Sequence, residues 1–306
     1  MAGATPDALV RRVAARLARA HLHYGHGTDN ARDDAAALVW HALRLPLKPT
    51  AARLARPATP LQLAQLDALV QRRVRERVPV VYLTQRCWFA GLALHVDERV
   101  LIPRSPIAEL IERGFAPWVD AARVRRVLDL GTGSGCIAIA CARYLPRARV
   151  DAVDLSLAAL EVARRNIALH RLKRRVHALQ SDHFSALEGV RYDIIVSNPP
   201  YVGRREMARL PAEYRHEPRG ALAAGRDGLD SVRVILEDAP RHLAPGGLLV
   251  VEVGNTESLV RRAWPRLPLT WLEFERGGGG VFLVRREDLL RTRSRGKRVG
   301  TRTGRR

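Results

Sequence analysis

RVLDLGTGSG, residues Arg126–Gly135, runs from a short apolar segment into a glycine-rich turn, and Cys136–Tyr144 behind it has the length and apolar content of a helix. Strand, glycine turn and helix in this order place backbone N–H groups of a helix N-terminus beside glycines that let a ligand approach closely. The turn alone does not choose its ligand, because dinucleotide-binding enzymes and purely structural turns use the same arrangement. Outward from it, Val150–Leu155, Val176–Ser181, Tyr192–Ser197 and Leu248–Val253 read as further strands. Helical stretches fall at Leu157–His170, Leu229–Leu243 and Glu257–Trp264, and this alternation predicts a doubly wound α/β sheet. Two last apolar runs, Leu269–Phe274 and Gly280–Val284, flank the glycines of 277–280 and predict an antiparallel hairpin that closes the sheet.

The first third of the chain has a different period. Leu9, Val13, Leu17 and Ala20 recur at helical spacing, as do Leu38, Leu43, Leu61, Leu66, Leu69 and Val70, with Pro46, Pro49, Pro57 and Pro60 between them. Thr28 and Asp29 are the expected N-cap of a helix from Ala35 to Leu43. From Trp88 to Ile102 short apolar runs broken by Gly91, Asp97 and Glu98 predict a β-hairpin, ended by Pro103 and Pro106. We therefore expect a helical N-terminal domain over 1–86, a hairpin linker over 87–106, a catalytic domain over 107–290 and a basic tail over 291–306. The tail holds eight arginines and lysines from Arg291 to Arg306 and no acid, and is expected to be disordered in isolation.

The chain has 306 residues, 47% of them hydrophobic, which is ample for a sizeable core. No apolar run is long enough to span a membrane and Met1–Val10 lacks the form of a signal peptide, so a cytoplasmic protein is expected. Cys87, Cys136 and Cys141 are odd in number and lack metal-ligand spacing, which fits reduced thiols. His21, His23 and His26 are close in sequence but have no cysteine nearby, and no metal site is expected. The net charge of +21 points to polyanionic surroundings, although the preference for arginine over lysine and the wealth of alanine are also what a biased base composition produces.

Ligands of open α/β sheets lie beyond the carboxyl ends of the strands, where Asp154, Asp182 and Asn198 all fall. Asp154 is placed to accept from ribose hydroxyls, or else to cap the next helix. Asp182 is placed to accept from an adenine amine with Phe184 packed on the ring, or else these two are a strand-end cap and a core residue. Asn198, Pro199, Pro200 and Tyr201 follow the fourth strand directly. An amide or exocyclic amine nitrogen is a poor nucleophile with a delocalised lone pair, so it must be held rather than deprotonated. Its two N–H groups need two acceptors, which the Asn198 side chain and the Pro199 carbonyl supply, while two prolines add no competing donor and Tyr201 adds a flat wall.

Together, Asp129–Gly135, Asp154, Asp182 and Asn198–Tyr201 resemble the class I S-adenosylmethionine methyltransferases, in the branch acting on amide and exocyclic nitrogens. Leu101–Pro106 (LIPRSP), Ser181–Leu187 (SDHFSAL) and His216–Asp230 (HEPRGALAAGRDGLD) resemble the protein glutamine N5-methyltransferases of the HemK type. Tyr24–Ala31 (YGHGTDNA), Leu45–Leu47 and Arg77–Val100 resemble the ribosomal branch, whose substrate is a glutamine of large-subunit ribosomal protein L three. The release-factor branch usually carries a PRPETE-like stretch where this chain has Pro103, Arg104, Ser105 and Pro106.

The resemblance implies a Rossmann-like, mostly parallel seven-stranded sheet. It implies S-adenosylmethionine held by Asp129, Gly131, Thr132, Gly133, Gly135, Asp154, Asp182, Phe184 and Asn198, with Asn198 to Tyr201 holding the substrate amide. It assigns no role to Arg104, and the basic extension after Leu290 exceeds what the family needs. The expected reaction is direct displacement by the oriented nitrogen, with the extra proton lost afterwards. Three alternatives stand at this point: a release-factor glutamine methyltransferase, an adenine N6-methyltransferase on RNA or DNA, and a non-catalytic ribosome-assembly factor whose tail contacts ribosomal RNA. Few aromatics for base stacking and no evident base-reading domain weigh against the second.

Overall fold

The computed structural model describes residues 4–299, and for 293–299 the backbone alone. The helical part holds α1 (Pro6–Ala18), α2 (Ala31–Ala42), α3 (Ala51–Ala55), α4 (Pro60–Gln71) and α5 (Val80–Thr84). Thr59 and Gln62 close a reciprocal capping box on α4. The N-cap of α2 is Asn30, not Thr28 or Asp29: its side chain accepts from the backbone of Arg32 and Asp33, while the Thr28 hydroxyl donates to Asp34 instead. A π-type turn, Arg72–Glu76, widens the end of α4 and turns the Arg73 side chain inward.

The hairpin follows as β1 (Arg86–Phe89) and β2 (Leu92–His95), paired antiparallel, and then α6 (Ile107–Glu112). The alternating part comprises β3 (Arg126–Leu130), α7 (Cys136–Tyr144), β4 (Arg149–Asp154), α8 (Leu157–Leu169), β5 (Val176–Gln180), β6 (Tyr192–Ser197), α9 (Arg204–Met207), α10 (Asp230–His242), β7 (Leu243–Glu252) and α11 (Glu257–Ala263). It ends with β8 (Thr270–Trp271), β9 (Val281–Arg285) and α12 (Arg286–Val299). The seven strands lie in the order β5-β4-β3-β6-β7-β9-β8, parallel from β5 to β7, with β9 antiparallel to both neighbours.

Helix α12 carries the backbone through much of the segment expected to be disordered. Glu287 and Asp288 favour its N-terminal turn, and buried Leu289 anchors it on the sheet. Residues 300–306 of the expected tail lie outside the described residues.

One face of the sheet, with Val127, Ile194 and Val250, shares a continuous apolar core with the N-terminal helices through Val81, Phe89 and Ile102. The other face, with Leu128, Ile195 and Val251, packs against α10 and α12 through residues such as Val232, Ile235 and Leu289. The strand order reverses direction in sequence between β3 and β6, so the loops after these two strands open a crevice at their carboxyl ends.

Candidate active site

The crevice is a cleft of about 470 Å³ whose walls include Gly131, Gly133, Asp154, Asp182, Asn198 and Pro199. Gly131 and Gly133 sit at φ +73° and +53°, and a Cβ on either would meet nothing, so the open backbone of the turn faces the cleft. The turn is pinned at both ends. Gly131 and Thr132 donate to the Val153 carbonyl at 2.9 Å, and Gly133 donates to Asp154 Oδ2 at 2.8 Å.

Asp154 thus borders the cleft with Oδ2 on Gly133 and Oδ1 on the Ser156 backbone, each oxygen keeping a further lone pair. Burial raises its pKa above the usual carboxylate range. The helix cap that Asp154 might have supplied is made by Ser156, which accepts from Ala159. Asp182 lies exposed at the rim beside His183, whose Nδ1 is 2.7 Å from Asp182 Oδ1.

Of the residues expected at the ligand, Thr132, Gly135 and Phe184 do not line the cleft, and Asp129 is engaged through one oxygen only, its Oδ1 being buried without a partner. Asp129 is fully buried, and its Oδ2 accepts from the Thr132 hydroxyl at 2.5 Å and from the Ala138 backbone at 3.0 Å. This pair staples the glycine turn to α7, and burial pushes Asp129 up to about 7. Gly135 gives α7 room against α8, where an added Cβ would come within 3.3 Å of Ala163. Phe184 belongs to the core, stacked on His242 at a centroid distance of 4.7 Å, and does not reach the cleft. Being apolar beside an acid is equally consistent with either side of a strand end, which is why the sequence misplaces it.

The Asn198 corner holds the decisive feature. Asn198 Oδ1 is buried without a hydrogen-bond partner, and the side chain lies near enough to Glu252, at the end of β7, to lower that carboxyl's pKa. A carboxylate in that position accepts from the amide NH₂, which leaves the carbonyl oxygen as the free end. Glu252 is itself held by the Ser105 hydroxyl on Oε2 and approached by the Tyr201 hydroxyl, 3.5 Å from Oε1. Tyr201 therefore supports the corner from behind, its ring against Gly254, rather than walling the cleft as expected.

Glu252 and Ser105 are site residues that the sequence patterns above do not mark. The signal was present: Glu252 is a lone carboxylate ending an otherwise apolar strand, which a buried position tolerates only with partners. Burial, the largest influence, raises Glu252 to about 7 against the donors that favour its charged form. A carboxyl whose folded pKa lies above its unfolded value stabilises the fold below the unfolded pKa and loses that contribution as pH climbs. The window here is about pH 4.5 to 7, and the loss amounts to at most about 3 kcal/mol. Urea unfolding at pH 5 and pH 8 should show a smaller decline in Glu252→Gln than in the wild type; equal declines would remove Glu252 as a source.

Arg104 also acquires a partner. Its guanidinium forks onto Glu217, with Nη2 2.8 Å from Oε2, and lies 5.4 Å from the centroid of the Tyr214 ring. Pro218, Gly220 and Ala221, which follow Glu217, line the same cleft, so Arg104 anchors that wall. The same segment is tied to the N-terminal helices. Buried Arg73 reaches Asp34 at 2.7 Å, Glu213 at 3.5 Å and the His23 carbonyl at 2.8 Å, and His26 packs on Tyr214 at 4.4 Å. Burial, aided by nearby arginines and His23, holds the His26 imidazole down to about 3.

Residues 8–84 match the family model "PrmC N-terminal domain" and residues 114–213 match "Methyltransferase small domain". The chain is 46% identical over 283 residues to the ribosomal protein uL3 glutamine methyltransferase of Neisseria meningitidis serogroup B, which covers 92% of this chain and 93% of that one. The protein of the same name from Bordetella pertussis is 47% identical over 282 residues, covering 92% and 95%. The chain belongs to the ribosomal protein uL3 glutamine methyltransferase family. Membership bears out the resemblance drawn from LIPRSP and from the N-terminal stretches, the ribosomal branch included. It also gives the contacts around Asn198 and Arg104 a setting. Among the described residues no helix is long and apolar enough to cross a membrane.

Proposed function

We propose that this protein transfers a methyl group to the side-chain amide nitrogen (N5) of a glutamine in a ribosomal protein of the uL3 type. The observation that carries this reading is the unpartnered, buried Asn198 Oδ1 at the edge of the cleft, beside Glu252. A buried acceptor without a partner costs about 1–3 kcal/mol unless a ligand satisfies it. A primary amide brings two donors, one for Asn198 Oδ1 and one for the Pro199 carbonyl. Two acceptors on one rigid corner fix the plane of the amide and hence the direction of its lone pair.

The residues around the cleft suit S-adenosylmethionine as donor: open backbone at Gly131 and Gly133 for close approach, Asp154 for ribose hydroxyls and Asp182 for an adenine amine. When bound, this group supplies an electrophilic methyl carbon. The chain supplies position. Orientation of reactants can lower a barrier by roughly 7–11 kcal/mol, against about 10²–10⁴-fold from a general base. A site that holds the nitrogen therefore needs no base before transfer. Asp129, Thr132 and Gly135 shape the turn, Arg104 and Glu217 shape the wall at Pro218–Ala221, and Tyr201 braces Glu252.

We assign substrate recognition to residues 1–86. The apolar groove they form with the hairpin, about 1010 Å³ with Trp40, Leu69 and Trp88 in its walls, has room for a segment of a protein substrate.

The reading is tested by incubating the protein with isotope-labelled donor and, in parallel, uL3, a release factor, RNA and DNA. One methyl group on one glutamine of uL3, located by tandem mass spectrometry, is the expected result. Label in nucleic acid alone would overturn it. Asp154→Ala should weaken donor binding by about 10- to 150-fold, the equivalent of a 1.5–3 kcal/mol hydrogen bond to a charged group. Calorimetry with an unchanged dissociation constant would remove Asp154 from the donor site.

A further inference from the structure

At the end of the parallel strands remote from Asn198, Arg125, Arg126, Arg147 and Arg149 surround a second cleft of about 440 Å³, completed by Asp151 and His177. All four arginines are exposed. The sheet register brings them together: Arg126 on β3 is the partner of Arg149 on β4, and Asp151 is the partner of His177 on β5. Neighbouring strands lie about 4.8 Å apart, and like charges directly opposite one another oppose pairing.

The surrounding carboxylates leave this charge largely unanswered. Asp151 accepts from Arg126 at 3.4 Å and also from the Tyr192 hydroxyl at 2.8 Å. Asp193 is occupied by the backbone N–H groups of Arg125 and Arg126. Arg147 donates to the Ala122 carbonyl at 3.3 Å. The guanidinium groups of Arg125 and Arg149 make no hydrogen bond or ion pair with any described residue. Four guanidinium groups thus face one carboxylate.

A concave, arginine-lined site fits phosphate oxygens, which the planar guanidinium fork binds in pairs. The basic surface also continues past the cleft, with exposed Arg123 before β3 and exposed Lys173 and Arg174 before β5. A single phosphate would need no such track, and the net charge of +21 favours an extended polyanion. We propose that this end of the sheet binds the sugar–phosphate backbone of RNA, leaving the Asn198 crevice, a strand length of about 16 Å away, free for protein. RNA is the polyanion chosen because, on the reading above, the substrate is a ribosomal protein.

The test uses the full chain and a fluorescent single-stranded segment of large-subunit ribosomal RNA, with anisotropy measured between 50 and 200 mM salt. The double variant Arg147→Gln, Arg149→Gln should bind RNA at least about 10-fold more weakly, and its salt slope should fall by about 1.4, or 0.7 for each lost phosphate contact. Methylation of free uL3 by the variant should be unchanged, which also shows that it folds. An RNA affinity and salt slope equal to wild type would overturn the proposal, as would loss of RNA binding only on truncation after Leu290. Competition by inorganic phosphate as effective as that of RNA, compared per phosphate, would reduce the cleft to a single-anion site and equally overturn it. If neither protein methylates uL3, the substrate reading fails while the RNA comparison still stands, with circular dichroism then reporting the fold.

Discussion

Asn198→Ala should abolish methyl transfer to below a few per cent of the wild-type rate while leaving donor affinity nearly unchanged. Alanine removes the acceptor that fixes the substrate amide, yet Gly131, Gly133 and Asp154, which suit the donor, keep their own contacts. If orientation supplies several of the roughly 7–11 kcal/mol available to it, loss of one of two acceptors costs at least about 10²-fold in rate. The fall should appear in kcat, since the amide is held for reaction more than for affinity. Asn198→Asp separates geometry from charge. It keeps an oxygen toward the cleft but sets a second carboxyl beside buried Glu252 and removes the amide NH₂ that could donate to it. Transfer should fall in this variant as well, and activity near wild type would show that Glu252 does not orient Asn198.

Arg73→Met should destabilise the protein by about 3–5 kcal/mol, because it leaves Asp34 buried without its cation and Glu213 with Arg77 alone at 3.5 Å. Arg73 is only 2% exposed, and Asp34 and Glu213 are as deeply buried. Burial already pushes the Asp34 carboxyl up, with Arg73 the main opposing influence, so its charged form depends on that guanidinium. The effect should not stop at stability. Glu213 belongs to the segment that leads through Glu217 to the cleft wall at Pro218, so transfer should weaken at temperatures where the variant is still folded. Denaturant midpoints give the first number. Adding Asp34→Asn to Arg73→Met should recover part of the loss by removing one stranded charge, and a change under about 1 kcal/mol in the single variant would contradict the role given to Arg73.

What the sequence disclosed follows from how local each feature is. The turn at Gly131–Gly135 and the corner at Asn198–Pro200 are set by backbone chemistry within a few residues, and both are where the reading placed them. Strands β3 and β6 and helix α7 also keep their expected bounds, since apolar runs between glycines, prolines and polar residues leave little freedom. The supports of the site are different. Ser105 meets Glu252 across 147 residues and Arg104 meets Glu217 across 113, so no local pattern announces either pair. Helix α6, directly after Pro106, escaped notice because six residues are too few to show a period. Phe184 and Tyr201 are legible as aromatic residues beside the site, but their sides are decided by His242 and Glu252, which only the folded sheet brings near.

On our proposal, the Asn198–Pro199 corner aims a glutamine amide at the methyl donor. A crystal structure of the protein with a non-reactive sulfonium analogue and a glutamine-bearing uL3 peptide tests it most directly. The amide N–H groups should lie on Asn198 Oδ1 and the Pro199 carbonyl, with the nitrogen about 3–3.5 Å from the carbon in the methyl position. A glutamine bound with its nitrogen away from that carbon, or Asn198 Oδ1 turned onto Glu252 instead of the substrate, would contradict it.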